Sequence, residues 1–447
     1  MGHAELTIHE ATATKRLSLD EYWMPFTPNR EFKADPQMVV RAEGMYLWND
    51  RGDKIIDASS GMFCVSAGHG RKEIAEAVGA QLRQLDYCAP FLRAHPKQFE
   101  LATRVAELTP GDLNRIFFVN SGSEAVDTAM KVALAYHHAR GQGGRNVFIS
   151  RERAYHGVGF GGVSLSGLVN NRRKYGPGLP GIAHMRHTHI KENFFTKGEG
   201  THGVELAEDL VRFVNLYGAE NIAACFVEPI AGSSGCLVPP KGYLKRLREI
   251  CDAHGILLVF DEVICGFGRT GQTFAAQSFG VTPDILTMAK GITNGAQPMG
   301  AVAVSERIHD TIMGAAPEGA IEFFHGYTYS GHPASCAAGL ATLDIYKNEG
   351  LFERGRELSP YFLDAVFSLK DIPVVADIRG YGMFATIDVH VDGAPGKRGQ
   401  IFQKKLFANG LNLKTTGDSA IIAPPLIAER KHVDEIADIL RKTLSAL

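Results

Sequence analysis

The chain has 447 residues, of which 45% are hydrophobic and 21% are charged, with 47 Lys and Arg against 49 Asp and Glu. This length exceeds what one compact core usually holds, and it predicts either a large domain with a smaller partner or two to three domains. The formal charge of −2 provides no positive field for nucleic acid or an anionic membrane, so small molecules are the expected partners.

The cysteines and the N-terminal stretch bear on location. The seven cysteines are odd in number and include no C-x-x-C pair, which is typical of reduced thiols in a cytoplasmic protein. Residues 1–20 carry charges throughout and lack the apolar core of a signal peptide. No run of about 18 apolar residues occurs, so we expect a cytoplasmic protein without membrane spans.

Short apolar runs alternate with helical patterns along the middle of the chain, which indicates a mostly parallel α/β sheet covered on both faces. The predicted strands cover residues 115–119, 146–150, 222–228, 256–260, 285–289 and 301–304, and predicted helices cover residues 123–137 and 242–254. Further on, the pattern predicts a helix over 334–347, antiparallel strands over 377–390 and a last helix over 433–447. This second part is typical of a smaller α+β domain.

Three predicted strands end abruptly on charged residues, namely Glu228, Asp261 and Lys290. Ligands of open α/β sheets bind beyond the carboxyl ends of the strands. A lysine there can be held partly neutral, as a Schiff-base nucleophile requires, although a lone lysine more often leaves a strand for solvent. A carboxylate on a neighbouring strand could keep a pyridinium nitrogen protonated, or could equally cap the next turn.

The segment after the strand at 115–119 offers an anion site. Ser121 and Glu124 have the spacing of a capping box, and the backbone N–H groups of Gly122 and Ser123 would be free at the helix start. A simple helix cap is the alternative interpretation. Tyr155 follows another strand and could stack on a ring or fill the core.

Two further patterns are weaker. Gly157-x-Gly159-x-x-Gly162 matches a dinucleotide fingerprint, but it does not directly follow a strand and has no acidic residue about 20 positions later. His184, His187 and His189 have a spacing that could bind a metal, yet no nearby carboxylate or cysteine completes the set. We expect neither a nicotinamide site nor a metal site, and we interpret the histidines as a surface loop.

The sequence resembles the class III (subgroup II) aminotransferases of fold type I, which depend on pyridoxal 5′-phosphate (PLP). The resemblance rests on Ser121-Gly122-Ser123-Glu124, Tyr155-His156-Gly157, Asp261-Glu262-Val263 and Lys290-Gly291, and it spans the chain from Trp23 to Leu426. Segments 70–75, 240–248 and 325–330 are most similar to the ω-amino acid:pyruvate group, typified by β-alanine:pyruvate transaminase. The resemblance implies a large PLP-binding domain at 76–330 with a mostly parallel seven-stranded sheet, and a small α+β domain at 331–447 to which residues 1–75 contribute.

The resemblance also implies residue roles. Lys290 would link to PLP and move the substrate proton, and Asp261 would pair with the pyridine nitrogen. The implied cofactor-binding set consists of Ser121, Gly122, Ser123, Tyr155, His156, Glu228, Asp261, Val263, Lys290, Tyr327 and Thr328. Thr328 would reach the phosphate of a second subunit, which implies a homodimer and leaves open whether dimers pair into tetramers.

The substrate pocket departs from the family pattern at one position. Lys414 stands where the β-alanine group carries an arginine that clamps the substrate carboxylate, and lysine cannot make the same planar bidentate contact. Phe63 stands where the group often has tryptophan. The expected substrate-binding residues are Phe63, Tyr155 and Lys414, with Arg93 as a further carboxylate partner.

The expected activity is PLP-dependent transfer of an amino group from an ω-amino acid or primary amine to pyruvate, by a ping-pong cycle through pyridoxamine phosphate. Another class III PLP reaction, an aminomutase or a dialkylglycine-type decarboxylation, is the alternative within the fold. A nicotinamide-dependent dehydrogenase is the alternative outside it. The amino donor and its chirality stay open.

Overall fold

A computed structural model describes residues 18–447, together with the backbone of residues 5–10 and 13–17. The first part of the chain contains strands β1 (Glu5–Glu10), β2 (Ala13–Ser18), β3 (Val39–Glu43), β4 (Tyr46–Asn49) and β5 (Lys54–Asp57), and helices α1 (Asn29–Ala34), α2 (Ser60–Phe63), α3 (Lys72–Gln84) and α4 (Pro96–Ala106). Strand β4 pairs antiparallel with β3 on one side and with β5 on the other. Helix α2 is a single irregular turn that follows β5.

The central part forms a seven-stranded sheet. Its strands are β6 (Arg115–Val119), β7 (Val147–Arg151), β8 (Ile182–Met185), β9 (Ile222–Val227), β10 (Leu257–Asp261), β11 (Ile285–Ala289) and β12 (Gly300–Val304), in the spatial order β6-β12-β11-β10-β9-β7-β8. Strand β12 runs antiparallel to both neighbours, and the other pairings are parallel. The predicted mostly parallel α/β sheet is confirmed.

Helices surround this sheet because its strands are apolar on both faces. The helices are α5 (Gly122–Ala139), α6 (Phe160–Leu165), α7 (Val169–Arg172), α8 (Asp209–Tyr217), α9 (Tyr243–His254), α10 (Ala275–Phe279) and α11 (Glu306–Ala315). Along β10, Leu257 and Val259 belong to one hydrophobic cluster, whereas Leu258 and Phe260 belong to another. Successive side chains of a strand point to opposite faces, so each face of the sheet has its own core.

The C-terminal part shares a sheet with the N-terminal part. It contains α12 (Pro333–Asn348), α13 (Leu351–Phe367), α14 (Lys397–Ala408) and α15 (Arg430–Ser445), with β13 (Val375–Tyr381), β14 (Phe384–Val389), β15 (Leu411–Asn412), β16 (Lys414–Thr416) and β17 (Ser419–Ile422). Strands β13, β14, β17 and β16 form an antiparallel sheet, as the pattern over 377–390 predicts for the first two. Strand β15 instead pairs in parallel with β5, which places residue 412 beside residue 57.

The predicted elements agree closely with the observed ones. Helix α9 ends at Gly255, whose φ of 62° is the left-handed geometry expected of a helix C-terminus. The edge strand β8 is the one strand of the large sheet that the sequence pattern did not locate. No helix in the described part of the chain combines the length and apolar character needed to cross a bilayer.

Candidate active site

The three charged residues at strand ends meet in one cavity. Asp261 ends β10, Glu228 directly follows β9 and Lys290 directly follows β11, and these strands are parallel neighbours. Their carboxyl ends therefore face the same edge of the sheet, as predicted. The cavity holds about 150 Å³ and is lined by Gly122, Ser123, Tyr155, His156, Gly157, Glu228, Asp261, Val263, Ile264, Ala289 and Lys290.

The Asp261 carboxylate is held by three donors. His156 Nδ1 lies 2.8 Å from Asp261 Oδ2, while the Val263 amide and the Thr287 hydroxyl each donate to Oδ1 at 3.2 Å. Both His156 and Asp261 are buried. His156 Nε2 is buried as well and has no hydrogen-bond partner within the described residues. These contacts fix the orientation of the Asp261 carboxylate, which lines the cavity.

The Lys290 amine is destabilised as a cation. Burial lowers the pKa of Lys290 from its ordinary value, and the nearby Cys64, Asp261 and Glu228 oppose that shift. Its backbone adopts a φ of 51°, a left-handed conformation that is unfavourable for a residue with a side chain. Strained residues of this kind persist where the surrounding structure fixes them, and they concentrate at functional sites.

Glu228 and Tyr155 both line the cavity and are joined by a hydrogen bond. Burial raises the pKa of Glu228, and the Asp261 charge raises it further, while His156 and two backbone donors oppose the shift. Those donors are the amides of Tyr155 and Gly232, each 2.8 Å from a Glu228 carboxylate oxygen. Glu228 therefore fixes the backbone that carries Tyr155.

The start of α5 supplies an anion site. Ser121 Oγ accepts from the Glu124 amide at 3.2 Å, and Glu124 Oε2 accepts in return from the Asn120 amide at 2.7 Å. Within residues 18–447 the amides of Gly122 and Ser123 have no acceptor. Two free N–H groups at the N-terminus of an 18-residue helix favour a bound phosphate.

Phe63 and Lys414 lie on the other side of Lys290. The Phe63 ring centre is 5.5 Å from Lys290 Nζ and 5.9 Å from Lys414 Nζ. Burial and the charge of Lys290 lower the pKa of Lys414 to about 8, against an opposing effect of Glu228. A second amine thus lies near Lys290, contributed by the C-terminal part of the chain.

Known proteins similar to this chain share its full length. The family model described as Aminotransferase class-III matches residues 29–444. The chain belongs to the class III aminotransferases. An omega-aminotransferase of Caulobacter vibrioides is 51% identical over 428 residues, covering 95% of this chain and 97% of that protein. An omega-amino acid–pyruvate aminotransferase of Pseudomonas putida is 46% identical over 442 residues, covering 98% of each.

Solved structures of omega-transaminases have the same fold as this aminotransferase. An (S)-enantioselective omega-transaminase from Thermomicrobium roseum superposes with a TM-score of 0.89 at 36% identity, covering 95% of this chain and 96% of that chain. The omega-transaminase from Pseudomonas jessenii in complex with PMP gives a TM-score of 0.90 at 32% identity, with the same coverage.

The pocket of this aminotransferase fits a phosphorylated pyridine ring. Asp261 offers a carboxylate for a ring nitrogen, Lys290 an amine for a carbonyl carbon, and the start of α5 two amides for a phosphate. Val263 packs directly over Gly122, where an added Cβ would lie 2.9 Å from Val263 Cγ1. The absence of a side chain at residue 122 lets the start of α5 pack directly against Val263, and an added methyl group would displace Val263 in the cavity that both residues line.

Replacing Gly122 by alanine is therefore expected to weaken PLP binding on the order of tenfold, since overpacking typically costs about 1–3 kcal/mol. Titration of the apoenzyme with PLP would measure the change. Gly79→Ala in α3 is the matched control, because its added Cβ would meet only the end of the Arg83 side chain at 3.6 Å. An unchanged PLP affinity in Gly122→Ala would contradict the role given to the packing of Val263 on Gly122.

Three residues of the predicted cofactor-binding set do not line this cavity. Ser121 caps α5, as described above. Tyr327 packs against His325 with ring centres 5.0 Å apart, and the Thr328 carbonyl accepts from the Tyr87 hydroxyl at 3.1 Å. The predicted contacts of these three residues with the cofactor stay predictions.

The glycine run after Tyr155 is explained by close packing against α5. Gly157 has a φ of 97°, and an added Cβ there would lie 2.5 Å from Ser123 Oγ. An added Cβ would meet an Asp127 carboxylate oxygen at Gly159 and the His156 carbonyl oxygen at Gly162. The glycines bring this loop against the anion site, so the sequence match to a dinucleotide fingerprint has a packing reason.

The three histidines do not converge. His184 lies in β8, so the surface-loop interpretation is wrong for it, and its Nε2 lies 3.0 Å from the Leu165 carbonyl oxygen. His189 Nε2 instead lies 3.3 Å from Asp377 Oδ2. His189, Asp377 and Asp388 could together ligate a metal, but the Arg379 guanidinium lies among them, with Nη1 2.7 Å from an oxygen of each aspartate.

Several residues of the site were not predicted from the sequence. Ile264, Ala289 and Gly157 line the cavity, and the Cys64 thiol lies near enough to Lys290 to influence its pKa. Ala289 and Ile264 adjoin predicted residues and could have been included on position alone. No sequence pattern indicated Cys64, because only the fold of residues 60–63 brings its thiol near Lys290.

Proposed function

We propose that this aminotransferase uses PLP to transfer the amino group of an ω-amino acid such as β-alanine, or of a primary amine, to pyruvate in a ping-pong cycle. The observation that carries the proposal is the convergence of Lys290, Asp261 and Glu228 with the start of α5 in one buried cavity. The names of two relatives, an omega-aminotransferase and an omega-amino acid–pyruvate aminotransferase, support the donor and acceptor classes.

Lys290 is proposed as the catalytic residue that holds PLP and moves the proton. PLP, when bound, supplies an electron sink for the carbon that loses its proton. A lowered pKa favours the neutral amine of Lys290, the form in which Nζ can act as a nucleophile and then accept and return a proton.

The other pocket residues are proposed to bind and orient the cofactor. Asp261 holds the ring nitrogen protonated, and the His156 contact fixes the direction of its carboxylate. Tyr155 and Val263 cover the ring, and Glu228 positions Tyr155 through its backbone amide. Ser121, Gly122 and Ser123 form the phosphate site through the α5 terminus.

Phe63, Tyr155 and Lys414 are proposed to contact the substrate. Lys414 is the cation proposed to bind the donor carboxylate, because its Nζ and the Nζ of Lys290 both lie near the Phe63 ring. As a single ammonium it attracts a carboxylate without the bidentate geometry of an arginine. Arg93 is exposed and donates to the Leu92 carbonyl within this chain.

A homodimer is part of the proposal. Large apolar side chains are exposed on the single chain, including Trp23 (88%), Leu92 (89%) and Phe324 (88%). Exposed apolar residues in such number indicate an interface, and the loop with Phe324 continues to Tyr327 and Thr328. We propose that this loop completes the phosphate site of the second subunit; sedimentation at the mass of one chain would rule the dimer out.

A cytoplasmic location is also proposed. All seven cysteines are free thiols, and five of them are buried. Free thiols are usual where the compartment is reducing, which supports the expectation from the sequence. Oxidised cysteines in protein isolated directly from cells would argue against it.

Absorption spectroscopy of the purified protein tests the activity. The yellow colour of bound PLP is expected to fade when β-alanine or 1-phenylethylamine is added and to return when pyruvate follows, with alanine formed in equal amount. Release of CO₂ from the donor would favour a decarboxylase, whereas an isomerised amine formed without pyruvate would favour an aminomutase. A colourless protein that binds NADH would overturn the PLP proposal itself.

A further inference from the structure

The turn that carries Phe63 has a strained backbone. Ser60, Gly61 and Phe63 have φ values of 48°, 67° and 64°. The left-handed region suits glycine but is unfavourable for Ser60 and Phe63. Such a turn persists only if its surroundings hold it in place. The contacts that hold it therefore determine where the Phe63 ring lies.

The buried Asp57 carboxylate holds one side of this turn. Its Oδ2 accepts from the Gly61 amide at 2.5 Å and lies 2.8 Å from His69 Nε2. Its Oδ1 accepts from the Ser59 amide at 3.1 Å. Although burial alone would raise the pKa of Asp57, the His69 contact and these backbone donors hold it below its usual range, so the carboxylate stays ionised.

Asp57 also reaches the strand that leads to Lys414. Asn412 Nδ2 donates to Asp57 Oδ1 at 3.1 Å, and β15 pairs with β5 at this position. Lys414 follows Asn412 by two residues. One carboxylate thus connects the turn that carries Phe63 with the strand that leads to Lys414. Neither side chain is among those that line the cavity, but the Phe63 ring centre lies 5.5 Å from Lys290 Nζ and 5.9 Å from Lys414 Nζ.

The opposite side of the turn is held separately. Ser60 Oγ donates to the Ala423 carbonyl at 2.7 Å and accepts from Arg269 Nη2 at 3.1 Å. These contacts fix Ser60 but not the Gly61 amide. Asp57 provides the acceptor for that amide and is not among the residues that line the cavity.

We propose that Asp57 is a positioning residue that sets donor specificity, because it holds the Phe63 turn and the Lys414 strand in fixed relation. This inference rests on the proposed function, in which Phe63 and Lys414 contact the substrate. Asp57 acts through them and makes no contact with substrate or cofactor.

The test compares Asp57→Asn with a matched control. Asparagine keeps Oδ1 as an acceptor but replaces Oδ2, so the Gly61 amide loses its partner while the size of the side chain is preserved. Asp209→Asn is the control, because Asp209 is a buried carboxylate that accepts from the backbone amide of Arg186 at 2.9 Å and lies outside the cavity.

Two readouts are expected to change in Asp57→Asn and not in Asp209→Asn. Amide hydrogen exchange across residues 59–65 should accelerate. The ratio of kcat/KM for 1-phenylethylamine to that for β-alanine should rise on the order of tenfold, mainly through KM, because a loosened aromatic wall admits a phenyl ring and weakens the carboxylate contact. Retention of the yellow colour in both variants checks that PLP still binds.

A double-mutant cycle with Phe63→Ala separates positioning from a general loss of stability. If Asp57 acts through Phe63 as well as through Lys414, Asp57→Asn changes the donor ratio less in the Phe63→Ala background than in wild-type protein. Independent effects of the two substitutions, or unchanged exchange at 59–65, would overturn the inference. Should Asp57→Asn fail to fold, Asn412→Ala removes one donor and leaves the carboxylate, and the same shift in donor ratio is then required.

Failure of the proposed function would be visible separately. If wild-type protein responds to neither donor, the substrate assignment is wrong, yet the exchange at 59–65 still reports whether Asp57 holds the turn. If wild-type protein responds and the variants discriminate between donors as it does, only the role of Asp57 is wrong.

Discussion

Replacing Lys290 by alanine is expected to lower kcat for amino transfer by about 10⁴-fold or more, because the nucleophile and the proton carrier are lost together. Steady-state rates with β-alanine and pyruvate measure this loss. Borohydride treatment should add the mass of the cofactor to the wild-type chain at Lys290 and add none to the variant.

The labelling experiment distinguishes Lys290 from Lys414 as the attachment point of the cofactor. Lys414 Nζ lies 5.9 Å from the centre of the Phe63 ring and Lys290 Nζ lies 5.5 Å from it, so Lys414 is the alternative attachment point that the experiment must distinguish. Attachment at Lys414 in wild-type protein, or a variant rate within tenfold of wild type, would refute the role of Lys290. Lys241→Ala, at an exposed position, is the control for the loss of a lysine as such.

Lys414→Met is expected to lower kcat/KM for β-alanine by about 10- to 100-fold, the range of a charge-assisted hydrogen bond worth about 1.5–3 kcal/mol. The value for 1-phenylethylamine should change little, since that donor has no carboxylate. Steady-state kinetics with both donors measure the difference. Equal losses for the two donors would show that Lys414 serves the cofactor or the fold instead.

The same contact predicts a pH dependence. Burial and the Lys290 charge lower the pKa of Lys414 to about 8, so its amine is a cation below that pH and loses its charge above it. The preference for β-alanine over 1-phenylethylamine should accordingly fall as pH rises. The midpoint should lie at or above pH 8 once PLP occupies Lys290, because part of the repulsion is then removed.

Lys414→Arg provides the control for that pH profile. A guanidinium stays charged throughout the accessible range, so the donor preference of this variant should be independent of pH. A preference that still falls with pH in Lys414→Arg would assign the titration to another group of the pocket.

The large sheet was predictable because its strands are apolar on both faces and end on charged residues. Strands 115–119 and 285–289 were predicted with their observed bounds, and the other predicted strands of this sheet differ by one residue at one or both ends. The edge strand β8 escaped because its four residues include His184, which interrupts the apolar run. The domain division at residues 75 and 330 stays a prediction, which the pairing of β15 with β5 supports.

The part of the site made by strand ends was predictable for the same reason. Asp261, Glu228 and Lys290 could be placed together because parallel neighbouring strands share an edge. Asp57, Cys64 and the position of Phe63 could not, because they depend on contacts between residues distant in sequence. No local pattern shows that Asp57 meets Asn412, which lies 355 residues later.

That long-range pairing has a consequence for biosynthesis. The central sheet is complete once residue 304 has been made, whereas β5 lacks its β15 neighbour until residue 412 has left the ribosome. Domains of a growing chain generally fold as units, N-terminal parts first. A nascent chain can therefore form the strand ends that hold Lys290 and Asp261 long before the strand that carries Lys414 exists. Lys414, the residue proposed to select the donor, joins the site only as translation ends.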